Sequence, residues 1–191
     1  MNEFKEITLV CDDSFDGIMT AVYDGWVLML KGNKVKIYPG DDYAYELFCE
    51  NINCKTNVKK AISVAQAIQQ KISVEAYEYV FRAAHHYDKN RGNAILEFLK
   101  VGFRAGSRTT KMLSENRVMT VMELARKASN EANVFREILR FKEINGKFLF
   151  GTISPKCDVL LLIENHFTCR YPEENWIIYD DIRKKSASSQ V

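Results

Sequence analysis

The spacing of apolar and polar positions along this chain changes character along its length. Residues 4–11 mix polar and β-favouring side chains (Ile7, Thr8, Leu9, Val10) and predict a first strand. Ser14 is placed as an N-cap with Asp16 in the first helical turn. Ile18, Met19, Val22, Trp26, Val27 and Leu30 then recur at helical spacing, and Gly32 stands where the helix should stop. Two short β-like runs, 35–38 and 43–48, flank Pro39-Gly40-Asp41-Asp42, which suits a loop or hairpin. From Asn57 the period is helical. Ala61, Val64, Ala65, Ile68 and Ile72 make one helix, Ser73 can cap a second through Tyr77, Val80, Phe81 and Ala84, and a third runs from about Asn93 to Gly106. A longer fourth helix fits 117–139, with Met119, Met122, Ala125, Ala128, Ala132, Phe135 and Ile138 on its apolar side.

Strand patterning then returns. Runs 141–144 and 147–153 flank Asn145-Gly146, the dipeptide that a type I′ hairpin favours because both central positions need positive φ. Pro155 breaks the second run, 159–167 reads as a helix and 176–179 as a last strand. The expectation is an α+β fold: a helical middle of about four helices, flanked by a strand–helix unit at the N-terminus and a hairpin–helix–strand unit at the C-terminus. Residues 1–183 read as a single α+β domain with a subdivision open near 56 and 139, and 184–191, rich in Ser and Lys, as a disordered tail. The pattern leaves open whether the two β-rich ends share one sheet.

With 191 residues, 47% of them hydrophobic, the chain can bury a sizeable core, which argues against disorder. Its first residues are charged where a secretory signal would be apolar, and no uncharged stretch approaches the roughly 20 residues of a membrane span, so a cytoplasmic address is expected. The five cysteines (Cys11, Cys49, Cys54, Cys157, Cys169) form no CxxC pair and are expected to stay reduced. Cys49 and Cys54 have a separation that zinc sites sometimes use, but no second close pair accompanies them, so neither a metal nor another cofactor is expected.

Charge is unevenly spread. Residues 1–56 carry 5 basic and 10 acidic side chains, whereas 100–147 carry 11 and 5. The basic stretch holds Lys100, Arg104, Arg108, Lys111 and Arg117, then Arg136, Arg140 and Lys142, interleaved with Phe103, Phe135 and Phe141. Arg104, Arg108, Lys111, Arg136, Arg140 and Lys142 are candidate phosphate contacts for single-stranded or distorted DNA, with an aromatic ring near each group for stacking. The plain alternative is a set of amphipathic helices with Phe in the core and Arg in water.

Other constellations are weaker. His85 and His86 are adjacent on an expected helix, about 100° apart, and cannot chelate one ion together; one buried and one solvated ring is the expectation. His166 and Cys169 are three apart and could form a thiolate–base dyad, but nothing supplies an oxyanion hole or an orienting carboxylate. Asp12, Asp13, Asp16 and Asp24 could be read as a magnesium or general-acid site, yet a cap and a strand-to-helix loop explain most of them. No phosphate-binding loop is present, since Gly102 to Gly106 lacks the strand–turn–helix context.

One order of residues is more specific. Glu131 with Phe135, Arg140-Phe141-Lys142-Glu143, the glycine turn, Phe150-Gly151-Thr152-Ile153-Ser154-Pro155, His166-Phe167-x-x-Arg170, Trp176-Ile177-Ile178-Tyr179-Asp180 and Arg183 follow one another over about fifty residues. This order resembles a bacterial family associated with DNA repair and DNA metabolism, also known as domain of unknown function 4130. The stretch from Asp13 to Val22 resembles that family's opening motif, which extends the likeness over nearly the whole chain. The resemblance implies a gene neighbour encoding a radical-SAM protein of DNA repair or modification, and a domain that elsewhere is fused to a uracil-DNA-glycosylase-like domain. It therefore implies an accessory protein that binds DNA, a radical-SAM partner, or both. Two alternatives stay open: a nucleic-acid-processing enzyme with a site around His166, Arg170 and Asp180, and a purely structural interaction domain. The family often continues past the final Arg with aromatic residues, whereas here a polar tail follows, so a last strand is expected to be missing.

Overall fold

β1 (Glu6–Cys11) is buried along nearly its whole length, as befits a strand with neighbours on both edges and cover on its faces. In the computed structural model, which describes residues 5–44 and 49–189, it is the middle strand of a sheet of order β2-β1-β3. Both β2 (Lys34–Pro39) and β3 (Cys49–Cys54) run parallel to it. Parallel neighbours need a crossover rather than a tight turn, and α1 (Phe15–Leu30) supplies the one between β1 and β2. Ser14 caps α1 as its position predicts, its Oγ accepting from the Gly17 amide at 3.0 Å. Gly17 is required for that turn, because a Cβ there would lie 2.3 Å from the Asp12 carbonyl oxygen.

The turn Pro39-Gly40-Asp41-Asp42 does not close a hairpin. Gly40, at φ 118°, leads the chain away from β2, whose partner is β1. Of the β-like run 43–48, Tyr43 and Ala44 belong to no strand, and 45–48 lie outside the described residues. The helical middle follows the sequence period closely. α2 (Val58–Lys71) is capped by Asn57, and Ser73 Oγ accepts from the Ala76 amide at the start of α3 (Val74–Ala84). α4 (Arg91–Ala105) comes next, then a 3-10 helix (Gly106–Lys111) and the long α5 (Asn116–Ile138).

α4 covers the open edge of β2. The Ile37 amide donates to Asn93 Oδ1 at 2.7 Å, so a polar side chain takes a backbone donor that the sheet leaves unpaired. The approach is close enough that a Cβ on Gly92 would meet the Ile37 carbonyl oxygen at 2.8 Å.

The chain packs as two units, one of Met1–Ala84 with Asp88–Ala125 and one of His85–Tyr87 with Arg126–Val191. The division falls within α5 rather than near 56 or 139, since the two apolar cores meet different stretches of that helix. The α+β class holds, and the two β-rich ends form separate sheets.

In the second unit, β4 (Lys142–Ile144) and β5 (Phe148–Ile153) form the expected hairpin around Asn145 and Gly146, at φ 54° and 62°. α6 (Leu160–Arg170) then carries the chain to β6 (Trp176–Asp180), parallel to β5. The tail is not disordered where it is described. β7 (Lys185–Ser188) pairs antiparallel with β6, after a turn in which Lys184 has φ 56°. A polar composition misleads here because an edge strand needs only a backbone partner, not apolar side chains. His85 and His86 lie just beyond α3 rather than on it, and both are buried, where one solvated ring was expected. The His85 carbonyl accepts from the Asp158 amide at 2.9 Å. Among the described residues no helix is long and apolar enough to cross a membrane.

The second core gathers Ala128, Ala132, Ile153, Val159, Ile163, Phe167, Trp176 and Ile178. Trp176 is 1% exposed and lies 6.4 Å from the Phe167 ring centroid. Trp176→Ala is expected to lower stability by about 3–5 kcal/mol, read as a drop in the midpoint of urea unfolding. An unchanged midpoint would show that this core tolerates the void.

Candidate functional site

Glu131, Asp180 and Arg183, which the family-like motif singles out, converge on the segment between β5 and α6. Glu131, projecting from α5, accepts from the Lys156 amide at 2.7 Å and from the Cys157 amide at 2.9 Å. Arg183 takes the carbonyls of the same segment: its Nη1 donates to Pro155 O at 3.1 Å and its Nη2 to Lys156 O. Asp180, fully buried, holds that guanidinium at 3.0 Å through Oδ2. Its Oδ1 accepts from the Ile182 and Arg183 amides at 2.9 and 3.1 Å. A buried carboxylate is tolerable only with such compensation. These groups therefore have structural employment, and Asp180 stands apart from His166 and Arg170.

A cleft of about 760 Å³ opens between the C-terminal end of α5 and α6. Asn133, Arg136 and Glu137 reach it from one face of α5 and Arg140 from just beyond its end, while His166 and Arg170 reach it from α6 and Tyr171 from that helix's C-cap. Arg136 is fixed from two sides, with Nη1 donating to Asn133 Oδ1 at 2.7 Å and Nη2 to the Leu162 carbonyl. Its Nε and His166 Nε2 are enclosed and have no protein hydrogen-bond partner. Arg140 is exposed. The Arg170 guanidinium lies 5.8 Å from the centre of the Tyr171 ring. Neither Arg140 nor Arg170 has an ion-pair partner among the described residues. Phe141 anchors the wall, edge-on to Phe167 at 5.3 Å and to Tyr171 at 5.5 Å. The cleft thus offers three guanidiniums and an imidazole against one lining carboxylate, Glu137. Such an arrangement attracts anions and presents fork-shaped donors suited to phosphate.

The other cationic candidates do not join this cleft. Arg104, Arg108 and Lys111 belong to the first unit, the latter two exposed on the 3-10 helix, and Lys142 lies exposed on β4. Phe135 packs on the second core, and Pro155 is buried in the clamped segment. Sequence reasoning missed Asn133 and Tyr171. The signals were there, at i−3 from Arg136 and i+4 from Phe167, but carried weight only once two helices faced each other.

The acidic group near the N-terminus is consumed by pairing. Arg91, 3% exposed, donates to the Ala84 carbonyl at 2.9 Å, to the Asp88 carbonyl at 3.0 Å and to Asp13. Asp12 accepts from Thr56, and Asp24 pairs with Lys60 at 2.6 Å. Cys49 and Cys54 sit at opposite ends of β3, the first near Thr8 Oγ1 and the second near Asp24. Among the described residues no group of three or more His, Cys, Asp or Glu side chains is arranged to hold a metal. Cys169 is exposed, 3.9 Å from Asn165 Oδ1. Burial above all pushes the Cys11, Cys54 and Cys157 thiols up to about 12, aided by Cys54 beside Cys11, Asp24 beside Cys54 and Glu131 beside Cys157. None of the three is a ready nucleophile.

Fold and site together define an α+β protein with an arginine-lined cleft beside a buried carboxylate–guanidinium clamp. The chain belongs to the family described as Domain of unknown function (DUF4130), whose model matches residues 89–190. That span includes the clamp and the cleft, whereas the opening motif from Asp13 to Val22 lies outside it. No curated protein matches the chain.

Burial opposes the charge on Glu131, but hydrogen bonds from Cys157 and the Lys156 amide, with Arg183 nearby, hold its carboxyl below the ordinary 4.5. A carboxyl with a depressed folded-state pKa stabilises the fold above its unfolded pKa, and that stabilisation is lost as pH falls through the folded value. Urea unfolding across a pH series should therefore show stability declining on acidification below about 4.5. Glu131→Gln should lower stability at neutral pH and remove part of that decline. An identical acid profile in the variant would place the sensitivity elsewhere.

Proposed function

We propose that this chain is an accessory protein of DNA repair or DNA metabolism that grips single-stranded or locally unstacked DNA by its phosphates in the α5–α6 cleft. In keeping with the family resemblance, it acts alongside a radical-SAM partner. The observation that carries the reading is the convergence of Arg136, Arg140, Arg170 and His166 on one cleft walled by Phe141 and Tyr171. Arg136 is preorganised by its own hydrogen bonds, while Arg140 and Arg170 are free to meet phosphate. Tyr171 beside Arg170 offers the apolar face on which an unstacked base can rest. Phosphate contacts position the strand without reading its sequence, which suits a protein that must accept DNA of any sequence around a lesion. Of the site around His166, Arg170 and Asp180 that the enzymatic alternative names, Asp180 is paired with Arg183 in the clamp, which favours the binding reading.

Fluorescence anisotropy with single-stranded and duplex oligonucleotides tests this. Three phosphate contacts on a single strand imply a slope of log affinity against log salt of about −2. Arg140→Gln and Arg170→Gln should each weaken binding severalfold, alike on unrelated sequences, and make the slope shallower by about 0.7. Both side chains are exposed, so the melting temperature should stay put. Salt-independent binding, or none, would remove DNA from the cleft.

A further inference from the structure

The first unit carries a surface that the DNA reading does not use. A groove of about 470 Å³ runs beside α1, α2 and α4, with Val22, Trp26, Val64, Ala67 and Phe103 in its lining. A second depression of about 380 Å³ shares Trp26 and Phe103 with it, so the two meet at one aromatic wall. The rings of that wall touch edge to face at 5.1 Å and 79°, which occupies them with each other and leaves aliphatic side chains to line much of the rest. Along α1, Tyr23, Val27 and Leu30 are 41%, 45% and 79% exposed. Their spacing of four and then three residues puts them on one helical face. Three large apolar side chains left open on one stripe mark a surface that something covers.

Charge narrows what that is. Lys71 lines the first depression, and Lys100, Arg104 and Arg117 line the second, while no carboxylate lines either. Lys100 and Arg117 are engaged with Glu97 and Glu115, so Lys71 and Arg104, one in each depression, are the lining cations that make no ion pair among the described residues, with Arg104 acting only at longer range on Glu115. We infer that this groove docks an amphipathic helix of a partner protein, with apolar anchors at helical spacing and carboxylates flanking them. A helix laid in a groove between helices buries anchors one turn apart, matching the stripe on α1. The flanking carboxylates would meet Lys71 and Arg104, a complementarity that sets orientation and rejects basic partners. Nucleic acid fits less well, because its affinity rests chiefly on neutralised phosphates, whereas the lining of the groove is mainly apolar.

The two tryptophans make the test direct, since Trp26 lies in the groove and Trp176 in the core of the other unit. The full chain labelled with 5-fluorotryptophan gives one fluorine resonance for each, assigned with Trp176→Phe. The probes are a helical peptide with leucine anchors and glutamate flanks, the same peptide with lysine flanks, and a single-stranded oligonucleotide. The glutamate peptide should shift the Trp26 resonance, leave Trp176 in place and bind about tenfold more tightly than the lysine peptide. Lys71→Glu with Arg104→Glu should reverse that preference, which a merely unfolded variant could not do. Equal binding of both peptides, or an unmoved Trp26 resonance, would overturn the inference. A Trp26 shift caused by the oligonucleotide would assign the groove to nucleic acid, and a shift on concentrating the chain alone would assign it to a second copy. Arg140→Gln and Arg170→Gln should leave peptide binding intact, so this surface and the DNA cleft fail or survive separately.

Discussion

The bridge between β5 and α6 is held as a pair of clamped peptide units. Glu131 takes two consecutive amides and Arg183 takes two consecutive carbonyls, with Asp180 buried behind the guanidinium. Everything downstream in the second unit depends on it. If the bridge moved, α6 would lose its starting point, and with it the placement of His166, Arg170 and Tyr171 opposite Arg136 and Arg140. A buried charge is costly to strand without its partner, which ties Asp180 to Arg183, while Glu131 secures the same segment through its amides. That makes one fastener out of a local pair, Asp180 with Arg183, and the distant Glu131.

The first unit uses a related device with a different purpose. Arg91 is buried at the start of α4, where it gathers the Ala84 and Asp88 carbonyls and the Asp13 carboxylate. It thereby ties the loop after the central strand to the end of α3. Two side chains that look in sequence like an acidic site and a stray arginine turn out to be one fastener. By contrast, among the described residues Arg140 and Arg170 in the cleft, and Lys71 and Arg104 beside the groove, make no ion pair.

The two surfaces suit different partners for physical reasons. The cleft of the second unit concentrates fork-shaped donors at its mouth, which favours an anion held by charge-assisted hydrogen bonds. The groove of the first unit has an apolar lining and a sparse charged rim, which favours burial of apolar anchors with charge as a filter.

What the sequence determined by itself were the features set by neighbours along the chain. The helical middle, the Ser14, Asn57 and Ser73 caps, and the Asn145-Gly146 hairpin all follow from spacing, capping and turn chemistry within a few residues. The sequence also marked Glu131, Asp180, Arg183, Arg140, His166 and Arg170 as belonging together, without showing that they split into a clamp and a cleft. Tertiary structure decided what depends on distant partners. Parallel pairing of β2 with β1 replaced the local hairpin because α1 brings the strands side by side. β7 formed from a polar tail because β6 offered a backbone edge. The charge of Asp13 was spent on Arg91, an arginine that no local pattern could have assigned, whereas Asp180 and Arg183 pair across three residues. Local chemistry is written in consecutive residues, but whether a charge is buried, paired or free depends on which residues the fold brings next to it.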